Sequence, residues 1–270
     1  MTERWTVLEG DCRDVARRIE PASIDLIIAD PPYGETSLAW DRRVRGWVTA
    51  VLPCLKPSGS LWAFGSLRSF LANRSELEPV RLIQDVIWEK HNGTNFHNDR
   101  FKRVHEQIAQ FIPRGVLWRD VYKSPVHTLD AKPKQVRRKK RPAHMGEIDA
   151  GSYVSVDGGP RLKRSVLHVR SCHGYAKHET QKPTELLRDL IEYSSPPRGV
   201  ILAPFAGSGS DLVAAMETDR SAIGIDIDPR WCREARLSVV EALEARGEAR
   251  PEHHAIKGAP LQLGMFQGVE

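Results

Sequence analysis

An acid, two prolines and an aromatic residue, Asp30-Pro31-Pro32-Tyr33, directly follow the apolar run from Ile24 to Ala29. The run is short, β-branched and ended by proline, which predicts a buried strand. Two successive prolines stiffen the following loop, so a carboxylate and a ring would lie at the sheet edge where open α/β folds bind ligands. The pair suits a planar base that stacks on the ring while the acid accepts its proton. The alternative is an ordinary strand ended by an Asp-Pro turn.

A glycine-rich turn, Gly207-Ser208-Gly209-Ser210, follows the predicted strand from Val200 to Phe205. Such a turn between a strand and a helix lets a ligand approach the backbone and the positive end of the helix. The next predicted strand ends at Asp226, 19 residues after Gly207. An acid at a spacing of about 20 is typical of contact with a ribose hydroxyl. These features predict a site for an adenosine-like ligand, with a plain tight turn as the alternative.

The same turn favours S-adenosylmethionine over NAD. The full G-x-G-x-x-G pattern is absent because the residue three after Gly209 is Leu212. The start of the helix also lacks a set of accessible backbone N–H groups that could bind a pyrophosphate. A sulfonium ligand carries no phosphate and does not need them.

Length and composition indicate one large α/β domain or one domain with an insertion. The 270 residues are 40% hydrophobic and 28% charged. The sequence contains no apolar stretch long enough for a membrane and no signal peptide, which predicts a cytoplasmic location and no membrane partner. The four cysteines are scattered without a CxxC pair, which favours reduced thiols and no metal site: Cys12, Cys54, Cys172 and Cys232.

Positive charge is concentrated in one part of the chain. The net charge of +5 and pI of about 9.1 permit a polyanionic partner without requiring one. Seven basic residues share a segment without helical or strand periodicity: Lys132, Lys134, Arg137, Arg138, Lys139, Lys140 and Arg141. The run is suited to gripping phosphates, and a solvated charge run is the alternative.

The elements that must position these residues alternate between strand and helix. Strands are predicted from Trp5 to Asp11, Ile24 to Asp30, Ser60 to Phe64, Leu82 to Trp88, Glu106 to Ile112, Val200 to Phe205 and Ala222 to Asp226. Helices are predicted from Asp14 to Glu20, Val44 to Leu55, Leu212 to Glu217 and Trp231 to Ala245, and one begins at Pro183. Between 113 and 164 the pattern is lost in a basic, proline-containing segment, which we interpret as an insert.

Taken together, the chain resembles the amino-directed DNA methyltransferases of the β order. Four stretches carry the resemblance: Gly10-Asp11-Cys12, Asp25 to Gly34, His178-Glu179-Thr180-Gln181-Lys182-Pro183, and Ala203-Pro204-Phe205-Ala206-Gly207-Ser208-Gly209. A looser fifth comprises Trp88-Glu89-Lys90, Arg100-Phe101 and His105-Glu106. The stretches span nearly the whole chain outside the insert, with the catalytic motif first, the insert next and the cofactor loop last.

The resemblance implies an α/β, Rossmann-like S-adenosylmethionine-dependent methyltransferase fold. Its mostly parallel sheet would be permuted, with the strand of Asp11 beside the strand of Asp226. It would also have an antiparallel hairpin in the C-terminal half and an inserted target-recognition region. The chain would divide into a catalytic half (1–112), the basic target-recognition insert (113–164), a cofactor-binding half (165–250) and a weakly ordered tail (251–270).

The resemblance also implies roles for individual residues. Asp30, Pro31, Pro32 and Tyr33 would be catalytic, with Tyr33 stacking on a flipped base. Asp11 would bind the cofactor adenine and Asp226 its ribose. Other cofactor-binding residues would be Cys12, Asp30, Thr180, Lys182, Pro183, Pro204, Phe205, Ala206, Gly207, Ser208, Gly209 and Ile227. Lys90, Asn92 and Arg100 join the basic run as candidate DNA contacts.

At two positions the sequence differs from the pattern of the family that it resembles, and both differences bear on function. The family usually has an acid where this chain has Ala203, and Ser210 replaces the usual threonine. The predicted activity is methyl transfer from S-adenosylmethionine to N6 of adenine in double-stranded DNA, because Asp30 rather than a serine begins the tetrapeptide. The alternatives are an N4-cytosine or RNA methyltransferase of similar build, and a DNA-binding module with impaired cofactor binding. The sequence leaves open a homodimer and a cognate restriction endonuclease.

Overall fold

A computed structural model describes residues 4–94, 99–137, 152–172, 174, 176 and 181–247. The described residues before Pro125 and after Arg164 form one compact unit, and those of Pro125–Arg164 form a second. The second unit therefore begins twelve residues after the predicted start of the insert. Residues 113–124 belong to the first unit because Tyr122 N–H donates to Ser58 O at 2.8 Å and Ser124 N–H donates to Tyr193 O at 2.8 Å.

Strands and helices alternate near both ends of the described chain, whereas the seven strands of the middle part follow one another without an α-helix. The strands are β1 (Trp5–Glu9), β2 (Ile24–Ala29), β3 (Leu55–Gly65), β4 (Val80–Thr94), β5 (Arg103–Pro113), β6 (His127–Thr128), β7 (Lys134–Arg137), β8 (Ser152–Ser155), β9 (Arg161–Leu162), β10 (Val166–His168), β11 (Val200–Ala203) and β12 (Ser221–Asp226). The helices are α1 (Cys12–Val15), α2 (Trp47–Val51), α3 (Leu67–Ala72), α4 (Thr184–Ser194), α5 (Ser210–Glu217) and α6 (Pro229–Ala245).

The first unit is built on an eight-stranded sheet in the order β1-β12-β11-β2-β3-β5-β4-β10. The first five strands in this order, β1, β12, β11, β2 and β3, are parallel. β5 is antiparallel to both β3 and β4, and β10 is parallel to β4. In the register of β1 and β12, Glu9 lies opposite Asp226. The permuted, mostly parallel sheet predicted from the sequence is therefore confirmed.

The antiparallel hairpin lies in the first half of the chain, so its predicted place in the C-terminal half was wrong. β4 and β5 form it, and β5 pairs in turn with β3. The hairpin lies in the first half because β4 and β5, the two strands that follow β3 in the chain, extend the sheet next to β3. β10 was not predicted, since three residues with a single buried side chain, Leu167, are too few to show a period.

Both faces of the sheet are covered, which explains why β2 is apolar apart from Asp25, whose carboxylate is paired with Lys56. All six residues of β2 are buried. Leu26 and Ile28 join the layer that contains α4, α5 and α6, whereas Ile27 and Ala29 join the layer that contains α2. A strand buried on both faces reads as a continuous apolar run. The packing fixes β2 beside β11, so the loops after these two strands begin at the same sheet edge.

Helices in the first half are shorter than predicted, and prolines account for one of the differences. The helix predicted from Val44 to Leu55 is reduced to α2 and a 3-10 turn, Leu52–Cys54, that contains Pro53. Leu55 already belongs to β3. α6 begins earlier than predicted because Asp228 caps it and Pro229 occupies its first turn. The start at Pro183 is displaced by one residue, since Pro183 is the cap of α4.

Two small antiparallel ladders, β6 with β9 and β7 with β8, form the second unit. Lys132 and Lys134 are exposed there. The side chain of Arg137 and the residues Arg138, Lys139, Lys140 and Arg141 lie outside the described part of the chain, as does the predicted tail from 251 to 270. Among the residues that are described, no helix combines the length and apolarity that a membrane span requires.

Candidate active site

A cavity of about 590 Å³ lies where the parallel strands β1, β2, β11 and β12 end. The predicted cofactor residues that line it are Asp11, Cys12, Asp30, Lys182, Pro204, Phe205, Ala206, Gly207, Ser208, Asp226 and Ile227. Pro183 and Gly209 are not among the lining residues, and Thr180 lies outside the described residues. Pockets of this size hold small-molecule ligands or cofactors in many proteins. The cavity thus brings together residues from all four stretches that carry the resemblance.

Asp226 holds the glycine-rich loop in place. Its Oδ2 accepts a hydrogen bond from Gly207 N–H at 2.8 Å, and its Oδ1 accepts one from Asp228 N–H at 2.9 Å. The spacing of 19 residues therefore has a local structural reason in addition to any ligand role. Asp226 also lines the cavity, so its carboxylate lies beside a ligand bound there.

Gly209 is required by packing. It has φ of +82°, a left-handed conformation, and a Cβ there would lie 2.8 Å from Ala235 Cα of α6. Any larger residue would push α5 away from α6. Gly209 therefore shapes the loop from behind, although it was predicted to contact the cofactor.

Asp11 forms part of the rigid wall. It caps α1 by accepting from Arg13 N–H at 2.9 Å, and the Arg13 guanidinium lies 2.5 Å from its Oδ2. These hydrogen bonds lower the pKa of Asp11. Burial raises the pKa of the neighbouring Cys12 thiol to about 12, so Cys12 is an unreactive part of the wall. The predicted contact of Asp11 with adenine remains a prediction.

Asp30 is the centre of a partly buried group of charged and aromatic residues. Its Oδ2 lies 2.5 Å from Lys182 Nζ, and its Oδ1 accepts a hydrogen bond from the Tyr33 hydroxyl at 2.8 Å. Lys182 Nζ also lies 3.5 Å from Glu106 Oε2, and Lys90 Nζ is paired with Glu106 Oε1. These five residues, Asp30, Tyr33, Lys90, Glu106 and Lys182, are here named the Asp30 cluster.

Charges in the Asp30 cluster compensate one another. Burial acts to raise the pKa of Glu106, but the ammonium groups of Lys182 and Lys90 outweigh it and hold that pKa at about 2. Burial acts to lower the pKa of Lys182, but Asp30 and Glu106 outweigh it and the pKa is raised. Burial, followed by the charges of Asp30 and Glu106, raises the pKa of Tyr33 well above its usual value. Tyr33 is therefore a neutral hydrogen-bond donor to Asp30.

The cluster assigns Lys90 a place that the sequence did not indicate. Lys90 was predicted to contact DNA, but its ammonium is paired with Glu106 and lies 4.5 Å from the centre of the Trp88 ring. Arg100, by contrast, is exposed beside Asp99 at 2.8 Å. The side chain of Asn92 lies outside the described part of the chain. Contacts between these residues and DNA remain predictions.

Sequence reasoning missed three kinds of residue in the cavity wall. Arginines surround it: Arg13, Arg42, Arg43, Arg45 and Arg230. Ser210 also lines it, and within the described part of the chain its buried hydroxyl has no hydrogen-bond partner. The third is Asp211, an acid with its side chain buried in the wall. An acid and a serine at the start of an otherwise apolar helix were the available signal for the last two.

Comparisons with known proteins agree with this arrangement. A model of the N6/N4 methyltransferase family, described as DNA methylase, matches residues 24–237. The type II methyltransferase M.HinfI of Haemophilus influenzae is 29% identical over 255 residues, a match that covers 84% of this chain and 66% of that protein. The chain thus spans about two thirds of the length of this curated relative.

Two solved structures have the same fold. The structure of an M1.HpyAVI–SAM complex superposes with a TM-score of 0.57 at 20% identity, covering 87% of this chain and 99% of that one. The cytosine-N4-specific PvuII DNA methyltransferase superposes with a TM-score of 0.59 at 14% identity, covering 87% of each chain. Both likenesses concern the fold alone.

Proposed function

We propose that this chain, which belongs to the N6/N4 family of DNA methylases, transfers a methyl group from S-adenosylmethionine to N6 of adenine in double-stranded DNA. Methylation of DNA follows from family membership, and the choice of adenine is the further step. The observation that supports this step is Asp30, an acid rather than a serine, held at the end of β2 by Lys182 and Tyr33.

The residues of the cavity fit S-adenosylmethionine. Asp226 lines the cavity with a carboxylate that is suited to ribose hydroxyls, and the loop from Pro204 to Ser208 offers close approach to its backbone. The buried Ser210 hydroxyl, without a partner among the described residues, is suited to a polar group of a ligand. Asp11 and Cys12 form the wall predicted to contact adenine. When bound, the cofactor supplies a methyl group activated by a positively charged sulfur.

Asp30 and Pro31 prepare the target amine. The exocyclic nitrogen of adenine is a poor nucleophile because its lone pair is delocalised into the ring. An oxygen of Asp30 accepts from one N–H and the Pro31 carbonyl from the other, which stabilises the positive charge that develops on nitrogen. Lys182 and Tyr33 orient the Asp30 carboxylate through contacts of 2.5 and 2.8 Å. The two prolines fix the distance between the acceptors.

Adenine must leave the duplex to reach Asp30, at a cost of about a few kcal/mol. Stacking on Tyr33 and phosphate contacts from basic residues such as Lys132 and Lys134 would offset this cost. A cognate restriction endonuclease is included in the proposal because a relative is named a type II methyltransferase. The homodimer and the cytoplasmic location remain predictions from the sequence.

The modified base tests the proposed function. Double-stranded DNA methylated by the protein should, after digestion to nucleosides and mass spectrometry, contain N6-methyladenine and no N4-methylcytosine. An RNA substrate incubated in parallel should stay unmodified. N4-methylcytosine as the sole product would contradict the choice of adenine and retain family membership. Absence of any methylation, together with an absence of S-adenosylmethionine binding, would favour the DNA-binding module instead.

Asp226→Ala is expected to weaken S-adenosylmethionine binding by about 1.5–3 kcal/mol, or roughly 10- to 150-fold, because a charged hydrogen-bond acceptor is lost. Isothermal titration calorimetry measures the dissociation constant. Glu9→Ala is the matched control, since Glu9 lies opposite Asp226 on β1 but is exposed and outside the cavity wall. Equal affinities in wild type and Asp226→Ala would argue against the ribose contact.

A further inference from the structure

Asp211 is an acid in a position where burial is costly. It is the second residue of α5, is 8% exposed and lines the cavity. An acid in the first turn of a helix interacts favourably with the helix dipole, which by itself accounts for its presence. An acid with only that role usually stays in water, however, whereas this one is enclosed by the cavity wall. Its burial therefore calls for a partner.

Two charged groups face Asp211, and neither supplies that partner. Burial and, after it, the charge of Asp30 raise the pKa of Asp211 to about 7, although Lys182 acts to lower it. Lys182 is directed at other carboxylates, with its Nζ 2.5 Å from Asp30 and 3.5 Å from Glu106. Asp211 is consequently about half protonated near neutral pH, and a bound cation would favour its ionised form.

Ser210, beside Asp211, has the complementary chemistry. Its hydroxyl is a buried donor without a partner among the described residues, and it lines the same cavity. A donor and an acceptor side by side at the start of α5 match the carboxylate and ammonium of an α-amino acid. The adjoining strand contributes no acid, because its last residue is Ala203, which is 1% exposed.

We propose that Asp211 accepts a hydrogen bond from the α-ammonium group of S-adenosylmethionine, while Ser210 donates to its carboxylate. The bound ammonium would favour the ionised carboxylate, so binding should release the proton that Asp211 holds. The inference rests on the proposed function, since it concerns the same cofactor. It explains how the chain binds the methionine end without an acid at position 203. It also makes cofactor affinity depend on pH below neutrality.

Calorimetry with three ligands tests the inference. S-adenosylmethionine and S-adenosylhomocysteine both carry the ammonium, whereas 5′-methylthioadenosine lacks the amino-acid part. Asp211→Asn should weaken the first two about tenfold or more and leave the third unchanged, which also verifies that the cavity is intact. Glu217→Gln on the same helix, paired with Arg188 away from the cavity, is the matched control and should bind all three normally. Weakening of S-adenosylmethionine alone would assign Asp211 to the sulfonium and overturn the ammonium contact.

Proton release gives a second readout. Wild-type protein should release close to one proton per S-adenosylmethionine at pH 6, measured from binding enthalpies in buffers of different ionisation enthalpy. Its affinity should rise about fivefold from pH 6 to pH 7, a range in which an α-amino group with pKa of about 7.7–8.0 stays charged. Asp211→Asn should lose both effects. Retention of either the affinity or the proton release in Asp211→Asn overturns the inference, and wild-type protein that binds no S-adenosylmethionine overturns the proposed function with it.

Discussion

Asp30→Ala is expected to lower kcat by at least about 10²- to 10³-fold, because in the proposed mechanism Asp30 is the acceptor that stabilises charge on the reacting nitrogen. The structure holds this carboxylate between Lys182 and the Tyr33 hydroxyl, so no neighbouring acceptor has the same orientation. Transfer of a tritiated methyl group to DNA under single-turnover conditions measures the effect. Binding of S-adenosylmethionine, followed by calorimetry, should persist.

Two variants separate chemistry from folding in this experiment. Asp30→Asn retains the size of the side chain and an acceptor for Tyr33, and it should be nearly as inactive as the alanine variant because it loses the negative charge. Asp219→Asn removes an exposed carboxylate in a left-handed turn that asparagine also adopts, and should be fully active. Activity near wild type in Asp30→Asn would remove Asp30 from the catalytic role.

Lys182→Met is expected to lower the free energy of unfolding by about 3–5 kcal/mol, because it leaves two buried carboxylates without a shared ammonium. Lys182 is 6% exposed and contacts both Asp30 and Glu106. Methionine is similar in length, so little packing is lost. Urea unfolding without ligand measures the change. Without Lys182, the pKa of Glu106 should rise from about 2 toward its ordinary value. The loss of stability should therefore be smaller at a pH low enough to protonate the carboxylates.

Further variants separate the effect of unpaired charge from that of lost packing. Arg188→Met breaks the more exposed pair with Glu217 at 3.3 Å and should cost only about 0–1 kcal/mol. Adding Asp30→Asn to Lys182→Met should recover much of the lost stability, because the Asp30 charge left without Lys182 is gone while Glu106 keeps its pair with Lys90. If this double variant is no more stable than Lys182→Met, lost packing rather than unpaired charge explains the effect.

Residue patterns over short stretches of the sequence predicted those elements of the fold that neighbouring residues determine. The apolar run of β2 and the prolines after it predicted a strand end and a rigid loop, and the structure has both. The strand, glycine turn and acid from Val200 to Asp226 predicted the loop that Asp226 holds. The bounds of α2 were wrong by several residues because Pro53 lies in a 3-10 turn after the helix and β3 already begins at Leu55, neither of which the apolar period indicates.

The Asp30 cluster was beyond sequence reasoning for a physical reason. Lys182 is 152 residues from Asp30, and Glu106 is 73 residues from Tyr33. Their meeting depends on the hairpin lying beside β3 and on where the chain enters α4. Nothing in the local residue pattern specifies which lysine approaches which carboxylate across a sheet. For the same reason Lys90 was predicted only as a candidate DNA contact, and Asp211 was not predicted as a site residue.

The pairing of β1 with β12 delays the assembly of the site during protein synthesis. Trp5–Glu9 leaves the ribosome early, but its partner, Ser221–Asp226, is translated more than two hundred residues later. Contacts between such distant segments form slowly. A nascent chain that ends before β11 already carries Asp30 and its prolines, yet it lacks Pro204, Gly207 and Asp226 and so has no cofactor cavity. An unfinished chain is therefore not expected to bind the cofactor or to methylate DNA before the C-terminal strands have been translated.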